Sequence, residues 1–319
     1  MSRSDTKIRV AVTSRSFSRH PVLRAELLAK YPNATFNDEG LSLAGEALIA
    51  FLRGHERAIT GLERLDTPVF RAVPELRVVS KHGVGLDMID LEAMARHGVK
   101  LAWTGGVNRR SVAELAIAFA VMLLRHLPAT AAETRDGAWR ARVGRQLSER
   151  TVGIVGCGHV GKDLAQLLRA FGCRVLAHDI RDFPEFYARH GVAPAGLEEL
   201  LRAADVVTLH LPLDASTRNM LSAERLALMR PDAVLISTAR GGIVDEGALK
   251  TMLKEGRLAG AAFDVFAAEP PEDAELLRLP NFLATPHIGG SAEEAILAMG
   301  RAAIAGLDAA GDPHEVAKG

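Results

Sequence analysis

Cysteine is nearly absent from this chain: Cys157 and Cys173 are its 2 cysteines in 319 residues. That count argues against a disulfide-stapled secreted domain. Both are read as buried thiols in a reducing cytoplasm. No Cys-x-x-Cys pair and no Cys/His cluster occurs, so no zinc or other metal site is expected. Net charge is missing as well. The 39 Lys and Arg are balanced by 39 Asp and Glu, which gives no overall attraction to nucleic acid or to an acidic membrane. No apolar run reaches the ~18–20 residues that span a bilayer. The longest candidate, residues 113–124, is shorter and contains Glu114. The first residues, Met1-Ser2-Arg3-Ser4-Asp5-Thr6-Lys7, hold no apolar segment, so no secretory leader is expected. Repeats and low-complexity stretches are lacking too.

What is present is a glycine loop in a telling context. Thr151-Val152-Gly153-Ile154-Val155 reads as a strand, Gly156-Cys157-Gly158-His159-Val160-Gly161 follows, and a helix-like run opens at Lys162. Strand, Gly-x-Gly-x-x-Gly and helix make up the dinucleotide fingerprint. Gly156 makes the tight turn, Gly158 lets backbone approach a pyrophosphate, and Gly161 lets helix and strand pack. The helix N-terminus offers free N–H groups to phosphate. The next strand, residues 173–179, ends in Asp179, about 20 residues beyond the loop, where a carboxylate takes the ribose hydroxyls of NAD. That acid favours NAD over NADP, and Arg181 weakens the preference.

The length suggests two domains. Strands are expected at residues 8–13, 58–60, 77–80 and 99–102, with helices at 21–30, behind Pro21, and near 43–52, with Leu48, Ile49 and Leu52 on its apolar face. Residues 14–20 read as a polar loop. A second series of strands is expected at 204–210, 233–238, 260–265 and 281–285, alternating with helices at 197–203, 222–229 and 245–254. A last helix covers 292–310. This alternation is the signature of parallel α/β sheets. Residues 104–108 look like a hinge. A long apolar helix is expected over 111–126, with Ser111 and Glu114 as a capping box, and another over 129–139.

Polar residues that interrupt the apolar runs fall at strand ends, and parallel strands bring those ends to one edge. In the second series they are Asp179, His210, Arg240, Asp264 and His287, with Glu269 following in Ala267-Ala268-Glu269-Pro270. Hydride transfer at a 2-hydroxy acid needs a cation to hold the carboxylate and polarise the carbonyl, which suits Arg. It needs a group that shuttles a proton near neutrality, which suits His, and a carboxylate to orient that His. Arg240, His287 and Glu269 supply these types. Taken singly, each is also consistent with a surface charge or a satisfied loop residue. In the first series, Lys81-His82-Gly83-Val84-Gly85-Leu86-Asp87 ends a strand. It reads equally as a tight turn or as backbone that binds a carboxylate. Lys81, Arg15 and Arg19 read equally as a second anion site or as solvated charge.

The motifs Gly83-Val84-Gly85-x-Asp87, Asn108-x-x-Ser111-Val112-Ala113-Glu114, the glycine loop with Asp179, His210-x-Pro212, Thr238-Ala239-Arg240-Gly241, Asp264-Val265-Phe266, Glu269-Pro270 and Pro286-His287-Ile288-Gly289-Gly290 run nearly end to end. The chain resembles the D-isomer-specific 2-hydroxyacid dehydrogenase family, in particular its 3-phosphoglycerate dehydrogenase-like branch. The resemblance implies an α/β protein of two lobes, with a Rossmann-type NAD-binding domain (105–290) inserted into a smaller flavodoxin-like substrate domain (1–104 plus 291–319). It implies that Arg240 binds the substrate carboxylate, that His287 is the acid/base and that Glu269 is its partner. Lys81, His82, Gly83, Val84, Gly85 and Asn108 then hold substrate. The cofactor contacts implied are Gly156, Gly158, His159, Val160, Gly161, Asp179, Ile180, His210, Leu211, Pro212, Thr217, Thr238, Ala239, Asp264 and Gly290. A homodimer through the NAD-binding domain is implied, with the segment near Trp139 wrapping onto the partner. So apolar a helix at 111–126 is otherwise short of places to bury itself.

Two positions depart from the family pattern. Asp214 stands where Thr is frequent, and Gly105 where Pro is frequent at the hinge. A regulatory domain is not expected, nor is serine feedback. The function expected is NAD-linked hydride transfer at a small, polar or phosphorylated D-2-hydroxy acid similar to 3-phosphoglycerate. Phosphite dehydrogenase and a non-catalytic, NAD-sensing corepressor-like protein are the alternatives.

Overall fold

Short β-branched and aliphatic runs build two parallel sheets. The computed structural model describes residues 7–318. The first residues, on which the expectation of no leader rests, lie outside the described residues. The chain divides into unit 1, Met1–Asn108 with Gly290–Gly319, and unit 2, Arg109–Gly289.

Unit 1 holds β1 (Val10–Val12), β2 (Ala34–Phe36), β3 (Arg57–Thr60), β4 (Val78–Lys81) and β5 (Lys100–Ala102), in the order β2-β1-β3-β4-β5. All pair in parallel, and this is the flavodoxin-like order. One face packs Leu48, Ile49, Leu52, Phe70 and Met94. The other packs Phe17, Leu23, Leu27 and Tyr31, with Ala303, Ile304 and Leu307 from the closing helix Glu293–Ala309. Each such aliphatic side chain contributes about 1.5–3 kcal/mol when taken out of water. That helix is tied to β4 where the Ser80 hydroxyl donates to the Ala303 carbonyl at 2.7 Å.

Unit 2 holds β6 (Thr151–Val155), β7 (Arg174–His178), β8 (Val192–Pro194), β9 (Val206–Leu209), β10 (Val234–Ser237), β11 (Gly260–Phe263) and β12 (Phe282–Ala284). Their order is β12-β11-β10-β9-β6-β7-β8, again parallel throughout. This is the Rossmann order with one further strand at the edge. The order reverses between β6 and β9, and there a doubly wound sheet opens a crevice at its carboxyl edge.

Several local expectations change. Residues 15–19 are a helix, Arg15–Arg19, whose cap Ser14 accepts the Phe17 N–H; polar composition hid it because only Phe17 and Ser18 are buried. The strands β2 and β8 were not expected: Thr35 interrupts one and Pro194 ends the other, so neither shows a continuous apolar run. The long helix runs Arg109–Leu124, so Ser111 lies inside it and forms no capping box; its hydroxyl donates to the Gly289 carbonyl at 2.6 Å. The helix also has ample places to bury its stripe. Ala113, Ala116, Phe119, Ala120, Leu123 and Leu124 join a core with Ile154, Val206, Val234 and Ala262. The next helix is Leu127–Arg135 and stops short of Trp139. Ser222 precedes the helix Ala223–Leu226 without capping it, and its hydroxyl turns to Glu224.

Among the described residues no single helix is long and apolar enough to cross a membrane; Arg109–Leu124 and Leu127–Arg135 reach that length only as a pair bent by 64°. Cys157 and Cys173 are free and buried, and burial pushes both thiols up to about 11.

Candidate active site

At the switch point, β6 runs into the glycine loop and β9 runs into His210. Gly156 has φ +97°, and a Cβ on it would stand 2.4 Å from the His210 carbonyl oxygen. A Cβ on Gly161 would stand 2.1 Å from the Gly156 carbonyl oxygen, whereas one on Gly158 would meet nothing within 4 Å. Gly156 and Gly161 therefore close the turn against the chain itself, and Gly158 opens it outward. Gly158 is also the cap of the helix His159–Ala170, with no side chain bonded to the helix end. The N–H groups there, around His159 and Val160, are those an anion would take. Arg109, Lys162 and Arg181 add positive field. Burial first, then these cations, lower the titration point of His159.

Asp179 reaches back over this loop. Its Oδ2 accepts the Cys157 N–H at 2.7 Å and its Oδ1 the Arg181 N–H at 2.9 Å. The carboxylate thus ties the loop down and keeps acceptor capacity for ribose hydroxyls. Ile180 beside it is 94% exposed, an apolar face suited to a purine ring. His210 bonds through Nε2 to the Thr208 hydroxyl at 2.9 Å and through Nδ1 to Thr238 at 3.5 Å. Burial pushes it down to about 3, so it is neutral. Leu211, half-buried, and Pro212, exposed, follow it. Thr217 is buried, donating to the Pro212 carbonyl at 2.7 Å and accepting the Asp214 N–H at 2.9 Å. Asp214, the departure noted in the sequence, accepts the N–H groups of Ser216 and Thr217 and so braces the same loop. An open glycine turn, an uncapped helix end, cations and a carboxylate fit a dinucleotide.

The reactive types sit further along the same edge. His287 follows β12, and its Nδ1 bonds Glu269 Oε2 at 2.9 Å, which leaves Nε2 for a ligand. Glu269 follows β11, with Oε1 on the Phe266 N–H at 3.2 Å. Arg240 follows β10, half-buried beside the buried Ala239, with Nη1 donating to the Ala239 carbonyl at 2.7 Å. The His287 backbone sits at φ +55°, a left-handed conformation that costs a non-glycine residue roughly 1–2 kcal/mol. Asp264 holds it there. This buried carboxylate accepts the Thr285 hydroxyl at 2.6 Å and the Ile288 and Gly289 N–H groups, each at 2.7 Å. The sequence marked Asp264 as a cofactor contact and missed its part as the anchor of the His287 turn. The signal was Thr285, a hydroxyl near the end of the neighbouring strand.

In unit 1 the expected substrate residues end β4. Lys81 is buried, with Nζ on the Gly61 carbonyl, so it is not a solvated surface charge; Arg15 and Arg19 are exposed. His82 is buried, with Nδ1 on the Ser14 hydroxyl at 2.8 Å and its ring edge-on to Phe17. Burial pushes it down to about 4. Gly83 takes φ +133°, and the Val84 carbonyl accepts the Trp103 indole N–H at 2.7 Å. Half-buried Gly85 follows. Glu63, unnoticed in the sequence, accepts the Thr13 hydroxyl at 2.8 Å and the Gly61 N–H at 2.6 Å. Asn108 lies near Gly290, where a Cβ would meet its Nδ2 at 2.9 Å. Among the described residues no group of three or more His, Cys, Asp or Glu is placed to hold a metal ion.

Residues 117–289 match the family model described as D-isomer specific 2-hydroxyacid dehydrogenase, NAD binding domain. The chain is 38% identical over 260 residues to a Rattus norvegicus D-3-phosphoglycerate dehydrogenase, covering 81% of this chain and 49% of the relative. It is 40% identical over 236 residues to the Bacillus subtilis D-3-phosphoglycerate dehydrogenase, covering 73% and 45%. The chain thus spans about half the length of these curated relatives. A solved Thermus thermophilus protein superimposes with TM-score 0.83 at 35% identity, over 95% of this chain and 96% of that one. The cofactor of the matched domain is NAD, in agreement with the open turn at Gly158 and with Asp179. The chain belongs to the D-isomer specific 2-hydroxyacid dehydrogenase family.

Proposed function

We propose that the protein is an NAD-dependent oxidoreductase that moves a hydride between nicotinamide and C2 of a small D-2-hydroxy acid. The observation that carries this is the His287–Glu269 pair, at 2.9 Å, on the sheet edge that also bears Arg240 and the glycine loop. NAD supplies or accepts the hydride when bound. Arg240 holds the substrate carboxylate and polarises the 2-oxo oxygen. His287 gives a proton from Nε2 to that oxygen as the carbonyl is reduced, and takes it from the hydroxyl in the reverse direction. Glu269, on Nδ1, fixes the ring's tautomer and plane. Thr238 and Asp264 would hold the nicotinamide carboxamide, and Asp179 and Ile180 would serve the adenosine end with His210 and Thr217.

Unit 1 is proposed as the substrate-binding domain, through Lys81, His82, Gly83, Val84, Gly85 and Asn108. We favour a polar or phosphorylated substrate similar to 3-phosphoglycerate. The support is the likeness to D-3-phosphoglycerate dehydrogenases over 81% of the chain and the cation Lys81 beside the turn. A panel of 2-oxo acids with NADH, phosphorylated ones included, tests this. Polar or phosphorylated acids are expected to oxidise NADH. Turnover confined to aliphatic acids overturns the substrate class. Tight NADH binding with no turnover on any acid overturns the oxidoreductase.

We further propose a cytoplasmic homodimer formed through unit 2. Trp139 is 91% and Val143 96% exposed, and a second copy would cover them. Sedimentation is expected to show a dimer, and a Trp139→Glu variant a monomer. A wild-type monomer at micromolar concentration rejects the proposal.

A further inference from the structure

Glu246 opens the helix Glu246–Lys254, whose cap is Asp245. An acid in a first turn ordinarily faces water and favours the helix dipole. This one does not. It is half-buried, and its Oε1 accepts the N–H of Ala267 at 2.9 Å, in the loop that follows β11. Burial and, to a lesser degree, the Asp273 carboxylate push its own carboxyl up, while the Ala267 bond pulls it down. Asp273 is itself paired with Lys250 at 2.8 Å.

The same loop is pressed from a second side. Gly241 directly follows Arg240, and a Cβ on it would lie 1.9 Å from the Phe266 carbonyl carbon and oxygen and 2.3 Å from the Ala267 nitrogen. Backbone here lies against backbone, with no side chain to yield. The next link is Phe266, whose N–H bonds Glu269 Oε1 at 3.2 Å. The last is Glu269 Oε2 on His287.

We propose that Glu246 is a positioning residue: with Gly241 it clamps the Phe266–Ala267 backbone, and so holds the Glu269–His287 pair at a set distance from Arg240. The inference rests on the oxidoreductase reading above. Proton transfer and carboxylate binding must meet on one small substrate, and a misplacement of ~1 Å can cost ~100-fold in rate. The cofactor end of the site, built from the glycine loop and Asp179, has no part in the clamp.

The test compares Glu246→Ala with Glu246→Gln in the full chain. Glu246→Ala is expected to lower kcat about tenfold or more, with KM for NADH unchanged. Glu246→Gln is expected to recover most of that loss, because its amide oxygen still accepts the Ala267 N–H. Wild-type kcat in Glu246→Ala overturns the clamp. Equal loss in both variants also overturns it, since charge rather than the bond would then matter. Hydrogen exchange at the Ala267 amide gives a readout free of turnover. Protection in the wild type and in Glu246→Gln, lost in Glu246→Ala, is expected even if no 2-oxo acid is reduced. In that case the oxidoreductase reading fails and the clamp stands; unchanged protection in Glu246→Ala rejects the clamp whatever the activity.

Discussion

His287 and His82 each follow a parallel strand at the carboxyl edge of its sheet, yet they are held in opposite ways. His287 is exposed, sits on a left-handed backbone and is bonded to the carboxylate of Glu269. His82 is buried against Phe17, is bonded to a neutral hydroxyl and has the cation Lys81 near it. Burial and a like charge both disfavour an imidazolium. The contrast shows that position after a strand does not make a histidine an acid/base. Proton transfer also needs access and a partner for the ring, and of these two residues only His287 has both an exposed ring and a carboxylate beside it.

The largest expected effect separates these two residues. His287→Gln is expected to lower kcat by about 10²–10⁴-fold while NADH binding is retained. His82→Gln is expected to act mainly on KM for the 2-oxo acid. Stopped-flow and steady-state rates measure both. Comparable kcat losses would mean that His82 carries protons too.

The next test divides the glycine loop. Gly158→Ala meets open space, so its melting temperature is expected to stay close to that of the wild type, while the methyl stands where backbone must approach the pyrophosphate and weakens NADH binding about tenfold or more. Gly161→Ala drives a methyl against the Gly156 carbonyl and is expected to cost about 1–3 kcal/mol of stability. Titration by NADH fluorescence and urea unfolding read the two effects. Equal destabilisation by both would show that Gly158 is structural.

The smallest effect is acid sensitivity. The His82 ring titrates near 4 in the folded protein, against about 6.5 in an unfolded chain. As pH falls from about 6.5 to about 4 the unfolded chain takes up the proton first, so stability complete above pH 6.5 is lost across that window. The loss from this group is on the order of 3 kcal/mol. His210, also pushed down by burial, adds a fall of the same sign in unit 2. The urea midpoint is expected to drop between pH 7 and pH 4.5, and less steeply in His82→Gln. A parallel fall in that variant would remove His82 from the account.

Much of this was legible in the sequence. Pro21 and the Leu48-Ile49-Leu52 stripe gave helices close to those found, because each is a local rule of backbone or periodicity. The helix Arg15–Arg19 and the strands β2 and β8 were not legible, since short elements with few apolar residues are made by their neighbours. Ser111 shows the same limit. Its capping-box spacing with Glu114 is a real local signal, but the hydroxyl found a better partner in Gly289, far along the chain.

By itself the sequence determined the chemistry on offer: a glycine turn before a helix, an acid after the next strand, and Arg240, Glu269 and His287 at strand ends. Spacing and side-chain type suffice for that, because a parallel sheet carries every strand end to one edge. Only the tertiary structure decided which groups are charged, reachable and held still. It buried Lys81 and His82, turned Asp179 onto the Cys157 N–H, and gave Asp264 and Glu246 to the backbone of the loops that bear His287 and Glu269. Those outcomes depend on burial and on hydrogen-bond partners from distant segments, and no local pattern in the chain records them.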